Sequence, residues 1–453
     1  MDQILRHILS VRFEDLEEQT VRHAKDRIID TVGCLVGGAF ATGNQQLVDL
    51  IKARGGKPEA TILMHGGRVP ASEAAMVNCI LCRSYDFEPV SPVAEGRSAP
   101  GHVSGTTVMT ALSLGESVAA SGRELLTAML LGDDLTARLL NTSEFSLALG
   151  WDGNGLANAL GATAIAGKLL QLSEKQLRSA FGLALNQLSG SAQNIWEGTT
   201  AFKLPLGLAA RNGIFSAELA AAGWTAPKDA LRGPFGYYHL FTTGIRDEEL
   251  LTKDLGKKFW SDMTFKPYPG CRSTHGLIDC ALKILHLHRP DPRRIHRVIC
   301  HVPSHAGTSF LAQPWTIGEF PQGNALFSSR YAVATALLRG SVKPAHFTED
   351  AIRAADINEF IRRIEVDHSS SSRSGWALTV VTEDGRQYSA EVRVPKGDIP
   401  GNPLSREELL AKFRDNLSFA GKHSSSAAEQ LLELLYHLET LETGEEIVRL
   451  LVP

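Results

Sequence analysis

The sequence predicts a mainly α protein with an α+β part: a large all-helical domain, discontinuous in sequence, plus a smaller α+β domain set into it. Three observations carry that expectation. Up to about Gly244, apolar residues recur at helical spacing in segments broken by glycine. From about Trp260, alternating strand-like runs mix with helices. Past Pro400 and Pro403 the helical pattern returns, so the closing segment is expected to rejoin the first. The implied units are residues 1–262, 263–398 and 399–453. At 453 residues the chain exceeds one ordinary core.

Phe13–Gly37 reads as an amphipathic helix, with Val21, Ile28, Ile29, Val32 and Leu35 on its apolar side and a Gly37-Gly38 stop. Ala71–Cys82 is a mostly apolar run, expected to be a buried helix. Ser104–Ser121, Glu124–Leu140, Gly155–Leu170, Glu174–Leu188 and Leu206–Ala222 follow. The last three are dense in Ala and Gly, which lets helices approach closely. Several are apolar on more than one side, as helices inside a large bundle are. In the α+β part, Arg272–His288 and Gly323–Leu338 read as helices, and Ile295–Val302 and Ile361–Asp367 as strands. Leu378–Thr382 and Tyr388–Val394 form a hairpin around Asp384-Gly385. Arg406–Leu417 and Ala427–Glu442 close the chain as helices. Ser369–Ser372 is the low-complexity stretch.

Composition narrows the function classes. Hydrophobic residues at 43% and charged ones at 21% describe a soluble globular chain. Lys plus Arg total 46 against 50 Asp plus Glu, so no global field favours nucleic acid or an anionic membrane. No stretch is apolar enough to span a bilayer, and the N-terminus lacks a signal-peptide hydrophobic region, so the cytoplasm is the expected location. Six cysteines are too sparse for a disulfide framework. Cys79 and Cys82 form a C-x-x-C inside the apolar run and read as core thiols. His301 and His305 have a metal-like spacing, but Pro303 lies between them and no carboxylate follows nearby. No metal site is expected. Gly161 and Gly167-Lys168 imitate a phosphate loop with one residue too many and Leu169 in place of Ser/Thr, so helix packing is the better reading.

Polar groups stand beside Gly or Pro in several places. Tyr85-Asp86-Phe87-Glu88-Pro89 leads to Pro100-Gly101-His102-Val103-Ser104-Gly105, whose end is a helix start where free N–H groups favour a carboxylate. Gly198–Pro205 carries Lys203 between Phe202 and Leu204-Pro205. Lys266–His275 enters a helix, and Ser328-Ser329-Arg330-Tyr331 sits in an otherwise apolar one. Each alone is more often a solvated charge or a satisfied turn residue. Together they supply lysines, arginine, histidines, an aspartate and a tyrosine, a set suited to a small polycarboxylate and proton transfer.

These segments resemble the MmgE/PrpD family, which includes 2-methylcitrate dehydratase, cis-aconitate decarboxylase and iminodisuccinate epimerase. The most specific piece is Phe265–His275, FKPYPGCRSTH, followed by Gly276-Leu277-Ile278-Asp279. Leu9–Gly38, Gly101–Glu116, Gly198–Pro205, Phe327–Leu338 and the hairpin running into Val394–Asp398 support it. The resemblance implies that the α+β unit is a lid, that the chain is a homodimer, and that the site lies at the domain junction. It also implies a small di- or tricarboxylate substrate and no organic cofactor. Carried over residue by residue, Asp86, His102, Lys203, Lys266 and Tyr331 match family motif positions. Arg272, His275 and Cys271 lie in the same segment as Lys266, and Ser104 starts the helix after His102. Many members continue with Asp-Asp-Thr where this chain has Glu88-Pro89-Val90 and a longer loop, Ser91–Pro100. Asp152 and Cys271 stand where decarboxylase-like members carry histidines.

The resemblance therefore implies His102, Lys203, Asp86 and Tyr331 as catalytic residues. Lys266, Arg272, His275, Cys271, Asp152 and Ser104 become the substrate contacts. Taking a proton from carbon beside a carboxylate leaves a dianionic carbanion, which nearby cations must stabilise. His102 is the preferred acid or base, because imidazole titrates near neutrality. A hydro-lyase is the first expectation. An epimerase or decarboxylase on a similar acid, and a non-catalytic carboxylate-binding relative, are the alternatives.

Overall fold

Helices form where caps and apolar spacing coincide. The computed structural model describes residues 1–145, 149–303, 310–367 and 375–452. The first part runs through α1 (Asp2–Ser10), α2 (Glu18–Gly38), α3 (Asn44–Arg54), α4 (Ala71–Arg83), α5 (Ser104–Ser117), α6 (Gly122–Thr142), α7 (Asn154–Leu169) and α8 (Glu174–Leu185). Short α9 (Gln193–Trp196), long α10 (Leu204–Ala221) and short α11 (Tyr237–Phe241) complete it. Ser121 and Ser173 cap α6 and α8 in reciprocal boxes with Glu124 and Gln176. α2 starts at Glu18 rather than Phe13, because Phe13–Asp15 makes its own 3-10 turn with Asp15 accepting the Arg12 N–H at 2.8 Å.

α4, α5, α7 and α10 pack against one another, and α5 and α7 are buried along nearly their whole length. Small residues make this possible. A Cβ on Gly155 of α7 would lie 1.8 Å from the Ser189 carbonyl oxygen, a backbone atom that cannot rotate away. Gly155→Ala is therefore expected to destabilise the fold by about 1–3 kcal/mol. A lowered thermal midpoint with unchanged helical circular dichroism would check this. Gly161 and Gly167-Lys168 are inside α7, so the phosphate-loop imitation is helix packing, with the Lys168 ammonium on the Leu9 and Val11 carbonyls.

Two-residue strands β1 (Ala60–Thr61) and β2 (Arg68–Val69) pair beside α4. The stretch expected as a loop, Ser91–Pro100, is instead a hairpin of β3 (Val90–Ala94) and β4 (Arg97–Ser98). Its turn residues Glu95 and Gly96 both have positive φ, 51° and 71°, the geometry that matches strand twist in a two-residue turn. β5 (Ser143–Glu144) pairs with β6 (Gly244–Ile245), and β7 (Met263–Thr264) pairs with β3 in the register Val90↔Thr264.

The later part builds one mixed sheet in the order β11-β10-β8-β9, from β8 (Ile295–His301), β9 (Ile364–Asp367), β10 (Trp376–Thr382) and β11 (Gln387–Val392). β8 and β9 are parallel and the other pairs antiparallel. α12 (His275–His288) covers β10 and β11, with Gly276 against the Trp376 ring. The expected helix Gly323–Leu338 is two helices, α13 (Pro321–Leu326) and α14 (Ser329–Arg339), separated because Ser328 caps the Tyr331 N–H at 3.2 Å. α15 (Glu349–Arg353) and α16 (Ala355–Ile361) follow. The strand expected from Ile361 begins only at Ile364, since α16 keeps Ile361 in its buried face. His301 does meet a carboxylate across the sheet, Asp367 at 3.0 Å. His305 and Ser369–Ser372 lie outside the described residues.

The closing helices are α17 (Arg406–Ala420), α18 (Ser425–Tyr436) and α19 (Glu445–Leu450). α17 packs on α2. A Cβ on Gly33 would stand 3.1 Å from the Phe413 ring, so glycine sets how close these helices come. The protein is mainly helical with an α+β part, 57% helix and 10% strand. Among the described residues no helix is long and apolar enough to cross a membrane.

Candidate active site

α4 ends at Arg83, and the chain turns at once. The Asp86 N–H bonds back to the Arg83 carbonyl at 3.0 Å, and Asp86 takes a left-handed φ of 49°. Aspartate tolerates that region better than most residues. The turn aims the Asp86 and Glu88 carboxylates inward, beneath the loop that carries His102. The β3–β7 pairing then brings in Lys266, and the Gly270 N–H fastens its segment to the Tyr85 carbonyl at 3.0 Å.

The result is a buried charge cluster. The Lys266 ammonium lies 3.0 Å from Asp86 Oδ1 and donates to the Asp86 and Gly270 carbonyls at 2.6 and 3.0 Å. The Arg83 guanidinium bonds Asp86 and stands 3.1 Å from Glu88 Oε1. His102 Nδ1 is 2.9 Å from Glu88 Oε1, and its Nε2 is 3.3 Å from Asp86 Oδ1. The His102 backbone is held from both sides by α7: Asn154 accepts its N–H at 2.6 Å, and Asn158 donates to its carbonyl at 2.5 Å.

Electrostatics follow from burial and neighbours. Burial alone would raise the Asp86 carboxyl, but Arg83, Lys266 and His102 outweigh it and hold it below its ordinary range. The same contest, led by Arg83 and His102, leaves Glu88 strongly acidic. Burial and then the Arg83 charge push His102 down, so its imidazole is neutral at neutral pH. Asp152 is raised by burial. Its Oδ1 accepts the Asn154 N–H and side-chain amide at 3.1 and 2.7 Å. Among the described residues, Glu88 Oε2, Asp152 Oδ2 and Asn158 Oδ1 are buried acceptors with no protein donor.

The structure sorts the expected residues. Asp86, His102 and Lys266 come together, with Asp152 adjoining through Asn154. Cys271 is near enough for Asp86 and Lys266 to affect its thiol, which burial raises. His275 is fully buried, and that burial keeps it neutral; it lies 2.8 Å from Arg272 and 3.4 Å from the Gly270 carbonyl. Lys203 is one step away. Its ammonium reaches the Thr42 carbonyl at 2.8 Å and Asn44 Oδ1 at 3.1 Å, and Asn44 bonds Ser84 beside Arg83. Burial brings Lys203 down to about 7.

Three expected residues make their hydrogen bonds outside the cluster. The Tyr331 hydroxyl donates to the His346 carbonyl at 2.5 Å, with its ring stacked on Trp315 and tilted against Phe347. Arg272 is engaged by Asp398 at 2.6 Å and by the Pro395 and Lys396 carbonyls, so it braces that turn. The Ser104 hydroxyl points to the Met263 sulfur at 3.2 Å. Two central residues went unforeseen. Arg83 followed the apolar run as a lone charge, and Glu88 registered as a departure; the Arg-x-x-Asp-x-Glu spacing around a turn was the available signal.

Asp86, Glu88 and His102 offer ligand atoms within 4.8 Å of one another, the kind of set that can hold a cation. An Arg83 nitrogen stands among these three, and Lys266 on Asp86 supplies a second positive charge. The residues therefore fit an internal ion cluster better than a metal. Cys79 and Cys82 are buried in α4 against Thr106 and the Thr31 carbonyl, as core thiols.

Two family models match the chain: the MmgE/PrpD N-terminal domain over residues 2–249 and the MmgE/PrpD C-terminal domain over residues 268–438. A cis-aconitate decarboxylase-like protein, oryM, of Aspergillus oryzae is 24% identical over 99% of this chain and 96% of its own length. A cis-aconitate decarboxylase of Aspergillus terreus is 23% identical over 97% of this chain and 93% of its own.

Proposed function

Because this chain belongs to the MmgE/PrpD family, we propose that it is a lyase acting on a small polycarboxylate, by proton abstraction next to a carboxylate. One observation carries this reading: a neutral His102 imidazole set against two carboxylates, with the Arg83 and Lys266 cations at the same point. Neutral imidazole accepts a proton, while the cations stabilise charge that spreads onto the substrate carboxylate.

The finer reading is a hydro-lyase acting on a hydroxylated di- or tricarboxylate. Here His102 takes the proton on carbon, the carbon–oxygen bond breaks, and the hydroxyl leaves as water with a proton from Lys203. The unpartnered acceptors on Glu88, Asp152 and Asn158 suit a ligand that brings hydroxyl donors. A second reading, decarboxylation of a cis-aconitate-like acid, is favoured by the names of the relatives. Incubating the protein with a panel of acids in deuterated water, read by proton NMR, separates the two. Loss of water supports the first, loss of carbon dioxide the second, and exchange with inversion an epimerase. Silence across the panel would point to a non-catalytic binding protein.

Lys203 gives this reading a pH signature. As the acid it must be protonated, so kcat/KM should fall as pH rises through about 7. A bound polyanion raises the lysine's pKa, so the same limb in kcat should lie at higher pH. Lys203→Met should abolish the limb and lower turnover about 100-fold. A rate that instead rises through pH 7 would make Lys203 the base.

A further inference from the structure

We infer that Lys412, on the closing helix α17, is a positioning residue for the reacting centre. It holds the strained Asp86–Glu88 turn in place by its backbone. The inference rests on the Asp86 cluster being that centre.

The turn that presents both carboxylates closes its backbone through the Asp86 N–H on the Arg83 carbonyl, and its Asp86 is in the left-handed region. Such a conformation persists only when its surroundings over-determine it. Two ammonium groups do so here, each on one peptide carbonyl. Lys266 takes the Asp86 carbonyl at 2.6 Å, and Lys412 takes the Phe87 carbonyl at 2.7 Å. The same Lys412 nitrogen lies 3.9 Å from the centre of the Phe87 ring, a cation–π contact out of water. It is anchored from behind by Asp30 of α2, at 2.8 and 2.9 Å from the two carboxylate oxygens.

Helix packing explains why the ammonium arrives at that spot. Asp30, Gly33 and Gly37 occupy one stripe of α2 at spacings of three and four residues. A Cβ on Gly37 would meet Asn416 at 2.8 Å, and one on Gly33 would meet Phe413 at 3.1 Å. The two glycines let α17 settle close enough for Lys412, one residue before Phe413, to pass over Asp30 and reach Phe87. Lys412 is 7% exposed and Asp30 is 1% exposed. A buried lysine on an otherwise charged helix is costly unless its charge has a fixed partner. Its partners here are the α2 carboxylate and the turn.

Lys412 touches neither Asp86 nor Glu88 side chains in the hydrogen bonds it makes; it acts through the peptide between them. Its loss should therefore misplace both carboxylates and slow chemistry more than it weakens binding.

The test is hydrogen–deuterium exchange of the unliganded protein over Ser84–Glu88, with steady-state kinetics beside it. In Lys412→Met, exchange of that segment should speed up about 10-fold or more, while α5 and α7 keep their protection. Turnover should fall about 10–100-fold with KM changed less. Lys412→Arg, which keeps a cation over the ring, should recover most of both. If Lys412→Met does not fold, the double change Asp30→Asn with Lys412→Met is measured in its place, because it leaves no unpaired buried charge. Unchanged exchange over Ser84–Glu88 in a folded variant overturns the proposal, whatever the turnover. Faster exchange with undiminished turnover upholds the grip and overturns the reading of Asp86 as part of the reacting centre.

Discussion

Arg83→Met should cost this protein about 3–5 kcal/mol of stability at neutral pH, among the largest losses a single change can cause here. The guanidinium is 1% exposed and pairs with both Asp86 and Glu88, which are equally buried. Methionine fills much of the volume but leaves the Lys266 ammonium, 3.0 Å from Asp86, as the cation beside the two carboxylates, next to a neutral His102. The sign with pH is fixed. Both carboxyls sit below their ordinary range in the folded protein. Their stabilisation is thus present above the unfolded value near about 4 and is lost as pH falls below it. In the variant both carboxyls should protonate more easily, so its deficit should shrink between neutral pH and about pH 4–5. Denaturant titrations at the two pH values measure this. A deficit below about 1 kcal/mol at neutral pH would mean that the cluster is not the paired unit described.

The second large effect is chemical. His102→Ala should leave the fold intact, because Asn154 and Asn158 grip its backbone and not its ring. Turnover should fall about 10²–10⁴-fold, the usual contribution of a positioned acid or base. KM should change little if His102 acts mainly in the transition state. Added imidazole should restore part of the rate. Near-normal turnover on the substrate identified by NMR would remove His102 from the proton transfer and leave Lys203 to perform it.

Helical periodicity made most of the bundle readable, because α2, α6, α7 and α10 bury broad faces and their apolar spacing records it. The Asp384-Gly385 hairpin was readable from its turn residues. The β3–β4 hairpin was not, although Glu95-Gly96 stood between strand-like residues; Pro92 obscured it, since proline usually marks an edge or an end. Its neglect hid why Lys266 reaches Asp86. At the site, motif positions named Asp86, His102 and Lys266, which the fold brings together. Motifs do not show where a side chain points, so the bonds of Tyr331 to His346, Arg272 to Asp398 and Ser104 to Met263 were not legible from them. Arg83 and Lys412 were beyond reach for the same reason in reverse. A charge beside an apolar run, or on a helix rich in Glu and Arg, looks solvated until the tertiary fold closes over it.

The contact between α2 and α17 also bears on how the protein is made. Asp30 and Lys412 are 382 residues apart, so their pairing must wait until nearly the whole chain has left the ribosome. The N-terminal helices can collapse early, as leading segments of nascent chains do. Until then the Phe87 carbonyl of the Asp86–Glu88 turn lacks Lys412, although Lys266 is already available to the Asp86 carbonyl. The nascent bundle then carries the Asp30 carboxylate without its lysine, while Asp86 and Glu88 already have Arg83 beside them. Shortened products that stop before α17 would contain the motif residues and yet lack the Lys412 bond to the turn.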